Sequence, residues 1–265
     1  VLQKIEPENT VNDLIGQMEV EIEKDRNSAV GWRYLMQPWL RTPLMIAVCI
    51  MFFQQFVGIN TVIYYSPKIF LMAGFESTLS AIWASVGIGI VNVVFTVISL
   101  YLVDRIGRRK LYFIGLSGIA FSVLCLSACF IYANQLGEIG RWLMVIFMFG
   151  YVAFFAISIG PLGWLVISEI FPQKVRGLGT SIGSLAVWIF NCIVSFTFFK
   201  IIDFFSIPGT EIVVGQTTSE NPAGAFFLYG FIAVLGLVWG YLFLPETKGL
   251  SLEEIEQKWR KNREC

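Results

Sequence analysis

Carboxamide side chains inside an apolar stretch are the first feature of this sequence that could bind a ligand. Gln54, Gln55 and Asn60 lie in FFQQFVGIN, residues 52–60, where most neighbours are hydrophobic. An amide without a partner in such surroundings costs about 2–7 kcal/mol. Because a carboxamide both donates and accepts hydrogen bonds, it can bridge adjacent hydroxyl groups. The three residues therefore predict a wet cleft that matches a hydroxyl-rich ligand.

Two further apolar stretches carry small and polar residues on one face. In 78–102 these residues recur at helical spacing, at Ser85, Gly89, Asn92, Thr96 and Ser99. In 178–202 they recur in the same way, at Ser181, Ser184, Trp188, Asn191 and Ser195. Close packing of membrane helices is an alternative explanation for such stripes. Asn92 and Asn191 need more than packing, because each amide requires a partner from another helix or a water-filled cavity.

Two tryptophans lie deep in these stretches. Trp164 ends GPLGW, residues 160–164, and Trp188 belongs to the second stripe. An indole offers a flat apolar face and one N–H, which suits the apolar ring face and vicinal hydroxyls of a sugar or cyclic polyol. Aromatic filler remains the alternative for each indole. The absence of Lys or Arg in mid-stretch argues against an anionic ligand.

The first stretch also predicts a break in its helix. Gly58 weakens a helix, and Asn60 and Thr61 offer their side chains as alternatives to the backbone ladder. We expect a discontinuity near 58–62, followed by a second half-helix that carries Tyr64 and Tyr65. The Pro161 region of GPLGW is expected to loosen another helix, because proline removes a backbone donor.

Composition indicates that the segments that carry these residues are membrane helices. The 265 residues are 56% hydrophobic and only 14% charged, whereas soluble domains carry about 25% charged residues. A soluble chain with buried core helices is the alternative. Helices and closed barrels alone satisfy the backbone in lipid, and a barrel would need short alternating segments. We predict an all-α membrane protein with six spans, at about 43–66, 78–102, 111–132, 142–168, 178–202 and 224–244.

Charge gives the orientation of these spans and excludes several functions. Sixteen Lys and Arg residues flank one side of the membrane, and only Lys68, Arg141 and Lys200 flank the other. Both termini are therefore expected in the cytoplasm. The polar start of the chain predicts no cleavable signal peptide. The formal net charge of zero does not suggest a nucleic-acid partner, and a chain with no histidine and no CxxC motif predicts no metal or other cofactor.

Four motifs carry a resemblance to a known family, over essentially the whole chain. They are QQFVGINTVIYYSPKIF (54–70), DRIGRRKL (104–111), GPLGWLVISEIFPQKVRG (160–177) and PETKGLSLEEIE (245–256). In this order and spacing they resemble the C-terminal half of a sugar porter of the major facilitator superfamily. The resemblance implies that the six spans form the C-terminal half of a twelve-helix fold.

The resemblance also implies roles for individual residues. It implies a substrate site formed by Gln54, Gln55, Asn60, Asn92, Trp164, Trp188 and Asn191. It implies an extracellular gate that contains Tyr64 and Tyr65. It implies cytoplasmic gate charges that form ion pairs, at Arg105, Arg108, Arg109, Glu169, Arg176 and Glu246.

The resemblance and the local sequence pattern divide the chain into three parts. Residues 1–41 are similar to the cytoplasmic linker between the two halves, with an amphipathic helix at 10–25. Residues 42–245 are the six-helix bundle. Residues 246–265 are a cytoplasmic tail with a short helix at 251–262, which begins with a capping-box pattern. For both short helices, a merely solvated helix is the alternative.

The function implied is transport of a hexose, pentose or related polyol by alternating access, with no enzymatic chemistry. Transport would require the N-terminal six-helix half, and the protein would lie in a plasma or bacterial inner membrane. Facilitated diffusion and proton symport both remain open, since Glu169 and Asp203 lie near span ends rather than at midspan. A transporter-like sugar sensor and a non-transporting fragment are the alternatives.

Overall fold

The computed structural model describes residues 35–75, 77–205, 212–214 and 217–249, together with Glu254 and Trp259. The helix predicted at 10–25 lies outside the described residues. The helix predicted at 251–262 is described only at Glu254 and Trp259, and both of these residues are helical.

Eight α-helices and one short hairpin follow each other along the described part of the chain. The helices are α1 (Arg41–Phe56), α2 (Ile59–Met72), α3 (Thr78–Ile106), α4 (Arg108–Ile131), α5 (Ala133–Ile157), α6 (Ile159–Ile170), α7 (Arg176–Phe204) and α8 (Ala223–Phe243). Short 3₁₀ turns precede α1 and α7, at Pro38–Leu40 and Gln173–Val175. Strands β1 (Ile212–Val214) and β2 (Thr217–Ser219) form an antiparallel hairpin between α7 and α8.

Six segments of the described residues are long and apolar enough to cross a membrane, so the predicted number of spans is confirmed. The first segment, Pro38–Met72, contains α1 and α2, and the fourth, Ala133–Ile170, contains α5 and α6. The first segment extends beyond the predicted limit of about residue 66, and the fourth begins before the predicted start of about residue 142. In the first segment the helical backbone continues through Pro67. In the fourth segment the backbone before residue 142 is helical on both sides of a kink at Gly137, which has φ +55 and ψ −131.

The helix break predicted near 58–62 is confirmed and lies at its early edge. Helix α1 ends at Phe56, Gly58 has φ +88, and α2 begins at Ile59. The Oγ1 atom of Thr61 donates a hydrogen bond to the carbonyl of Gly58 at 2.7 Å. Only glycine adopts this left-handed backbone at little cost, so the break is encoded at one residue.

A second break separates α5 from α6. It lies at Ser158, which has φ −128 and ψ −103. Pro161 is the third residue of α6 and has no N–H to offer the carbonyl of Ile157. The proline therefore breaks the helix three residues before itself, rather than within GPLGW as the sequence suggested.

The bundle is closed by long helix pairs that bring the two breaks into its interior. Helix α4 packs along α5 and α8, α3 packs against α5, and α1 packs along α7. Tyr112, Tyr151 and Tyr229 are among the largest fully buried side chains. Helices α3 and α7 keep many exposed hydrophobic side chains, including Trp83, Val97 and Phe196. The described helices therefore bury their side chains on one side of the bundle and leave apolar faces of α3 and α7 exposed.

Candidate functional site

The three carboxamides of the first span form one hydrogen-bonded row, which we call the amide row (Gln54, Gln55 and Asn60). The Nδ2 atom of Asn60 donates to Oε1 of Gln55 at 2.6 Å. The Nε2 atom of Gln55 donates to Oε1 of Gln54 at 3.2 Å. The Nε2 atom of Gln54 then donates to the carbonyls of Gly160 at 2.7 Å and Ile159 at 3.1 Å. The row thus connects the first turn of α2 with the first turn of α6.

Burial and hydrogen-bonding capacity differ along the amide row. Gln54 and Gln55 are 3% and 4% exposed, whereas Asn60 is half-buried. Gln54 directs Nε2 at two carbonyls, which uses both of its amide hydrogens. Among the described residues, Gln55 keeps one amide hydrogen and Asn60 keeps one hydrogen and its Oδ1 atom without a partner. The capacity to bind a ligand therefore lies at the Asn60 end of the row.

The predicted gate tyrosines contact the polar stripe of α7. The Nδ2 atom of Asn191 donates to the hydroxyl of Tyr64 at 3.3 Å, and Oδ1 of Asn191 accepts from Oγ of Ser195 at 3.0 Å. The hydroxyl of Tyr65 lies 3.4 Å from the carbonyl of Ser195, and its ring stacks on Phe198. These bonds give the Asn191 amide partners on α2 and α7 and join the second half of the first span to α7.

The two predicted indoles lie at the surface of the described bundle, not in its core. Trp188 is 66% exposed and Trp164 is 42% exposed. Neither indole therefore fills the core of the described bundle. Trp164 lines an open pocket of about 360 Å³ between α6 and α3, together with Pro161, Leu165 and Ser168 of α6 and Ser99, Leu100 and Val103 of α3.

Asn92 and its stripe on α3 are also uncovered. Thr96 and Ser85 donate their hydroxyls to carbonyls four residues back in the same helix, so these two hydroxyls are satisfied locally. The hydroxyl of Ser99 is buried and has no hydrogen-bond partner among the described residues. A Cβ added to Gly89 would meet no heavy atom within 4 Å. The half-buried amide of Asn92 makes no side-chain hydrogen bond to the described residues. From Ser85 to Thr96 the structure therefore does not use this stripe as a packing seam within the described bundle, whereas Ser99 at its end is buried.

Among the residues predicted as cytoplasmic gate charges, the structure pairs Arg108 with Glu169. The Nη2 atom of Arg108 lies 2.8 Å from Oε1 of Glu169, and its Nε atom lies 3.2 and 3.3 Å from the two carboxylate oxygens. The hydroxyl of Thr247 donates to Oε2 of the same carboxylate at 2.5 Å. The last turn of α6 is thereby bound to the first turn of α4 and to the residues after α8.

Glu246 has a different role from the side-chain ion pair that the resemblance implied. Its carboxylate accepts hydrogen bonds from the backbone amides of Arg108, Arg109 and Lys248, at 3.1–3.2 Å. The first N–H groups of a helix have no partner within it, and a carboxylate there is favoured by the helix dipole. Glu246 therefore caps α4.

The remaining predicted gate arginines make no ion pair with the described residues. Arg109 donates Nη2 to the carbonyl of Tyr241 at 2.7 Å, and the guanidinium of Arg105 lies over the ring of Tyr101 at 4.1 Å. In Arg176 the Nε and Nη2 atoms are buried and have no hydrogen-bond partner in the described part of the chain.

One polar contact at the centre of the bundle is not predicted by the sequence. The hydroxyl of Tyr151, on α5, donates to the carbonyl of Val57 at 2.8 Å, and both residues are fully buried. The only signal in the sequence is a tyrosine in the middle of an apolar helix, where its hydroxyl needs a partner. That signal indicates a buried bond but does not name its acceptor.

Six apolar segments, two of them interrupted beside a row of carboxamides, are the architecture of a membrane transporter. The model of the family described as "Sugar (and other) transporter" matches residues 1–259. The chain belongs to this family.

Individual relatives agree with this family. The glucose transporter GlcP of Staphylococcus epidermidis is 38% identical over 229 residues, which cover 86% of this chain and 47% of that protein. The D-xylose-proton symporter of Escherichia coli K12 is 35% identical over 241 residues, which cover 91% of this chain and 46% of that protein. The solved structure of the proton:xylose symporter XylE bound to 6-bromo-6-deoxy-D-glucose matches with a TM-score of 0.72 and 34% identity, covering 94% of this chain and 49% of that one. This chain spans about half the length of the relatives that it matches.

Proposed function

We propose that this chain is the C-terminal six-helix half of a sugar carrier that works by alternating access. The amide row carries the proposal, because it joins the first turns of the half-helices α2 and α6. Broken helices beside a midplane site are a recurrent design of secondary transporters. A ligand bound at this row contacts the two elements whose movement would open and close the site.

The chemistry of the site favours a neutral, hydroxyl-rich substrate. The amide row, Asn92 and Asn191 are carboxamides that can bridge vicinal hydroxyls. Trp164 and Trp188 present accessible indoles that can pack on an apolar ring face. The named relatives transport glucose or xylose, which supports a hexose, a pentose or a related polyol. Tyr64 and Tyr65 complete the site as an extracellular gate on α2.

An N-terminal six-helix half is the partner in this proposal. The indoles, the open pocket at Trp164 and the uncovered stripe at Asn92 lie on accessible faces of the described bundle. A second half that packs over these faces would convert them into an enclosed cleft. The exposed hydrophobic side chains outside that interface would contact the bilayer.

In this proposal the two ends of the bundle are assigned to sides of the membrane from the distribution of charge. Arg108, Glu169 and Glu246 lie at the end where Lys and Arg are concentrated, which is the cytoplasmic end by the positive-inside rule. Both termini of the chain are then cytoplasmic, with residues 1–41 as the linker between halves and 246–265 as the tail. The buried guanidinium of Arg176 would find its counter-charge in the linker or in the N-terminal half. The membrane is a plasma or bacterial inner membrane.

The test is uptake by the complete carrier in proteoliposomes. D-glucose, D-xylose, L-arabinose and myo-inositol are each supplied with and without an inward proton gradient. Saturable uptake of at least one of them is expected, and the gradient separates symport from facilitated diffusion. A transporter-like sugar sensor would bind one of these compounds without uptake. The absence of both binding and uptake for all four would refute the proposal.

A further inference from the structure

The break between α1 and α2 leaves one backbone carbonyl without a backbone partner. In a continuous helix the carbonyl of Val57 would accept from the amide of Thr61. Here the amide of Thr61 donates to the carbonyl of Gly58 at 3.1 Å, and the amide of Val62 donates to the same carbonyl at 3.3 Å. Among the described residues, no backbone amide donates to Val57. The break therefore needs a hydrogen-bond donor from another helix.

Tyr151 of α5 supplies that donor. Its hydroxyl donates to the carbonyl of Val57 at 2.8 Å, and both residues are 0% exposed. The ring of Tyr229 covers the adjacent Gly58, where an added Cβ would lie 2.3 Å from two ring carbons. Water therefore has no access to the Val57 carbonyl in this structure and cannot replace the hydroxyl when it is removed.

The same break determines the direction in which Asn60 points. Two residues five apart on an ideal helix lie about 140° from each other around its axis. The Nδ2 atom of Asn60 nevertheless lies 2.6 Å from Oε1 of Gln55, because the left-handed backbone of Gly58, with φ +88, lies between them. Asn60 is the half-buried end of the amide row, where hydrogen-bonding capacity for a ligand remains among the described residues. The geometry of the site therefore depends on the break.

We propose that Tyr151 is a positioning residue for the sugar site, because its hydroxyl keeps the first span broken at Val57 and so holds Asn60 beside Gln55. This inference rests on the proposed carrier function. Tyr151 itself is fully buried and does not contact the substrate. Without the hydroxyl, the buried Val57 carbonyl has no donor, which destabilises the broken geometry relative to every other arrangement of α2. In a continuous helix, Asn60 would point away from Gln55.

Sugar binding to the complete carrier tests this role. Tyr151→Phe removes the hydroxyl and keeps the ring. With whichever of D-glucose or D-xylose the carrier binds, this variant is expected to lower the calorimetric affinity at least about fivefold. Replacing Tyr151 with para-aminophenylalanine is expected to restore the affinity to within about twofold of the unsubstituted carrier, because its N–H can donate to the same carbonyl.

Tyr112→Phe is the matched control for this experiment. The hydroxyl of Tyr112 donates to the carbonyl of Gly236 at 2.9 Å in an equally buried site between α4 and α8. Both tyrosine-to-phenylalanine variants are expected to lower the thermal stability, whereas only Tyr151→Phe is expected to lower the affinity. The positioning role is overturned if the two variants bind sugar equally well, or if para-aminophenylalanine does not restore the affinity that Tyr151→Phe loses.

Hydrogen–deuterium exchange in the absence of sugar tests the effect on the break itself. In Tyr151→Phe the amides of peptide 57–62 are expected to exchange at least about fivefold faster, as the loss of one buried hydrogen bond predicts. Tyr112→Phe is expected to leave exchange in this peptide unchanged. Unchanged exchange in Tyr151→Phe would overturn the inference whether or not a sugar binds. A carrier that neither binds nor takes up a sugar would contradict the proposed function, and the exchange result would still decide whether Tyr151 stabilises the break.

Discussion

Alanine at Gly58 would test whether a single glycine creates the break between α1 and α2. Gly58 has φ +88 and ψ 15, a left-handed conformation that costs an L-residue about 1–2 kcal/mol. The new Cβ would also lie 2.3 Å from two ring carbons of Tyr229. Overpacking of this kind costs about 1–3 kcal/mol. We therefore expect Gly58→Ala to lower the free energy of unfolding by about 2–5 kcal/mol.

Two other glycines separate the backbone contribution from the steric one. Gly137 has φ +55, but a Cβ there would meet no heavy atom within 4 Å, so Gly137→Ala should cost only the backbone strain of about 1–3 kcal/mol. Gly89 lies inside α3 with equally open space and an ordinary helical backbone. Gly89→Ala should stabilise the protein by about 0.5–1 kcal/mol.

The assay is denaturant unfolding of the complete carrier in detergent, followed by intrinsic fluorescence. Tyr229→Leu in the Gly58→Ala background should recover the steric part of the loss, relative to Tyr229→Leu alone. The order of stability should be Gly89→Ala, then the unsubstituted carrier, then Gly137→Ala, then Gly58→Ala. If Gly58→Ala unfolds like Gly137→Ala, the contact with Tyr229 has no energetic weight. If it unfolds like the unsubstituted carrier, our account of the break is wrong.

Three further predictions follow from the site. Asn191→Ala in the complete carrier should weaken binding of the transported sugar by about 1–3 kcal/mol through a lost hydrogen bond, and an unchanged calorimetric affinity would contradict its place in the site. Glu169→Gln should lower the free energy of unfolding by about 1.5–3 kcal/mol, because it removes the carboxylate bonded to Arg108. Asp104→Asn is its control: that carboxylate lies 3.5 Å from the same Arg108 but is largely exposed, so the change should stay below about 1 kcal/mol. Residues 1–265 alone should show no saturable sugar uptake in proteoliposomes, and uptake should appear on co-expression with an N-terminal half.

The sequence predicted those features that depend on residue type along one helix. Six spans follow from hydropathy and length, and the break at Gly58 follows from a residue that weakens helices next to polar side chains. The second break was placed too late because the effect of Pro161 falls on the carbonyl of Ile157, four residues earlier. The backbone hydrogen bond that a proline removes therefore lies about one helical turn before the proline in the sequence.

The partners of the polar side chains could not be predicted, because they depend on how the helices rotate against each other. Gln54 and Gln55 point about 100° apart on an ideal helix, which gave no reason to expect a bond between them. The amide of Gln54 is oriented by two carbonyls of α6. The break at Gly58 brings Asn60 within hydrogen-bond distance of Gln55. Together these contacts align Gln54 and Gln55 so that they bond to each other. Likewise, nothing local to Glu246 distinguishes a partner arginine from the backbone amides of α4 that it caps.

Helix α6 is held at both ends, and the chemistry of the two ends is different. Its first turn accepts neutral hydrogen bonds from Gln54, which is almost fully buried. Its last turn carries Glu169, whose ion pair with Arg108 leaves both side chains partly accessible to solvent. Water and salt can compete at an accessible ion pair but not at a buried amide. The attachment at the last turn of α6 is therefore the one that should respond to salt, while the attachment of its first turn to the amide row should not.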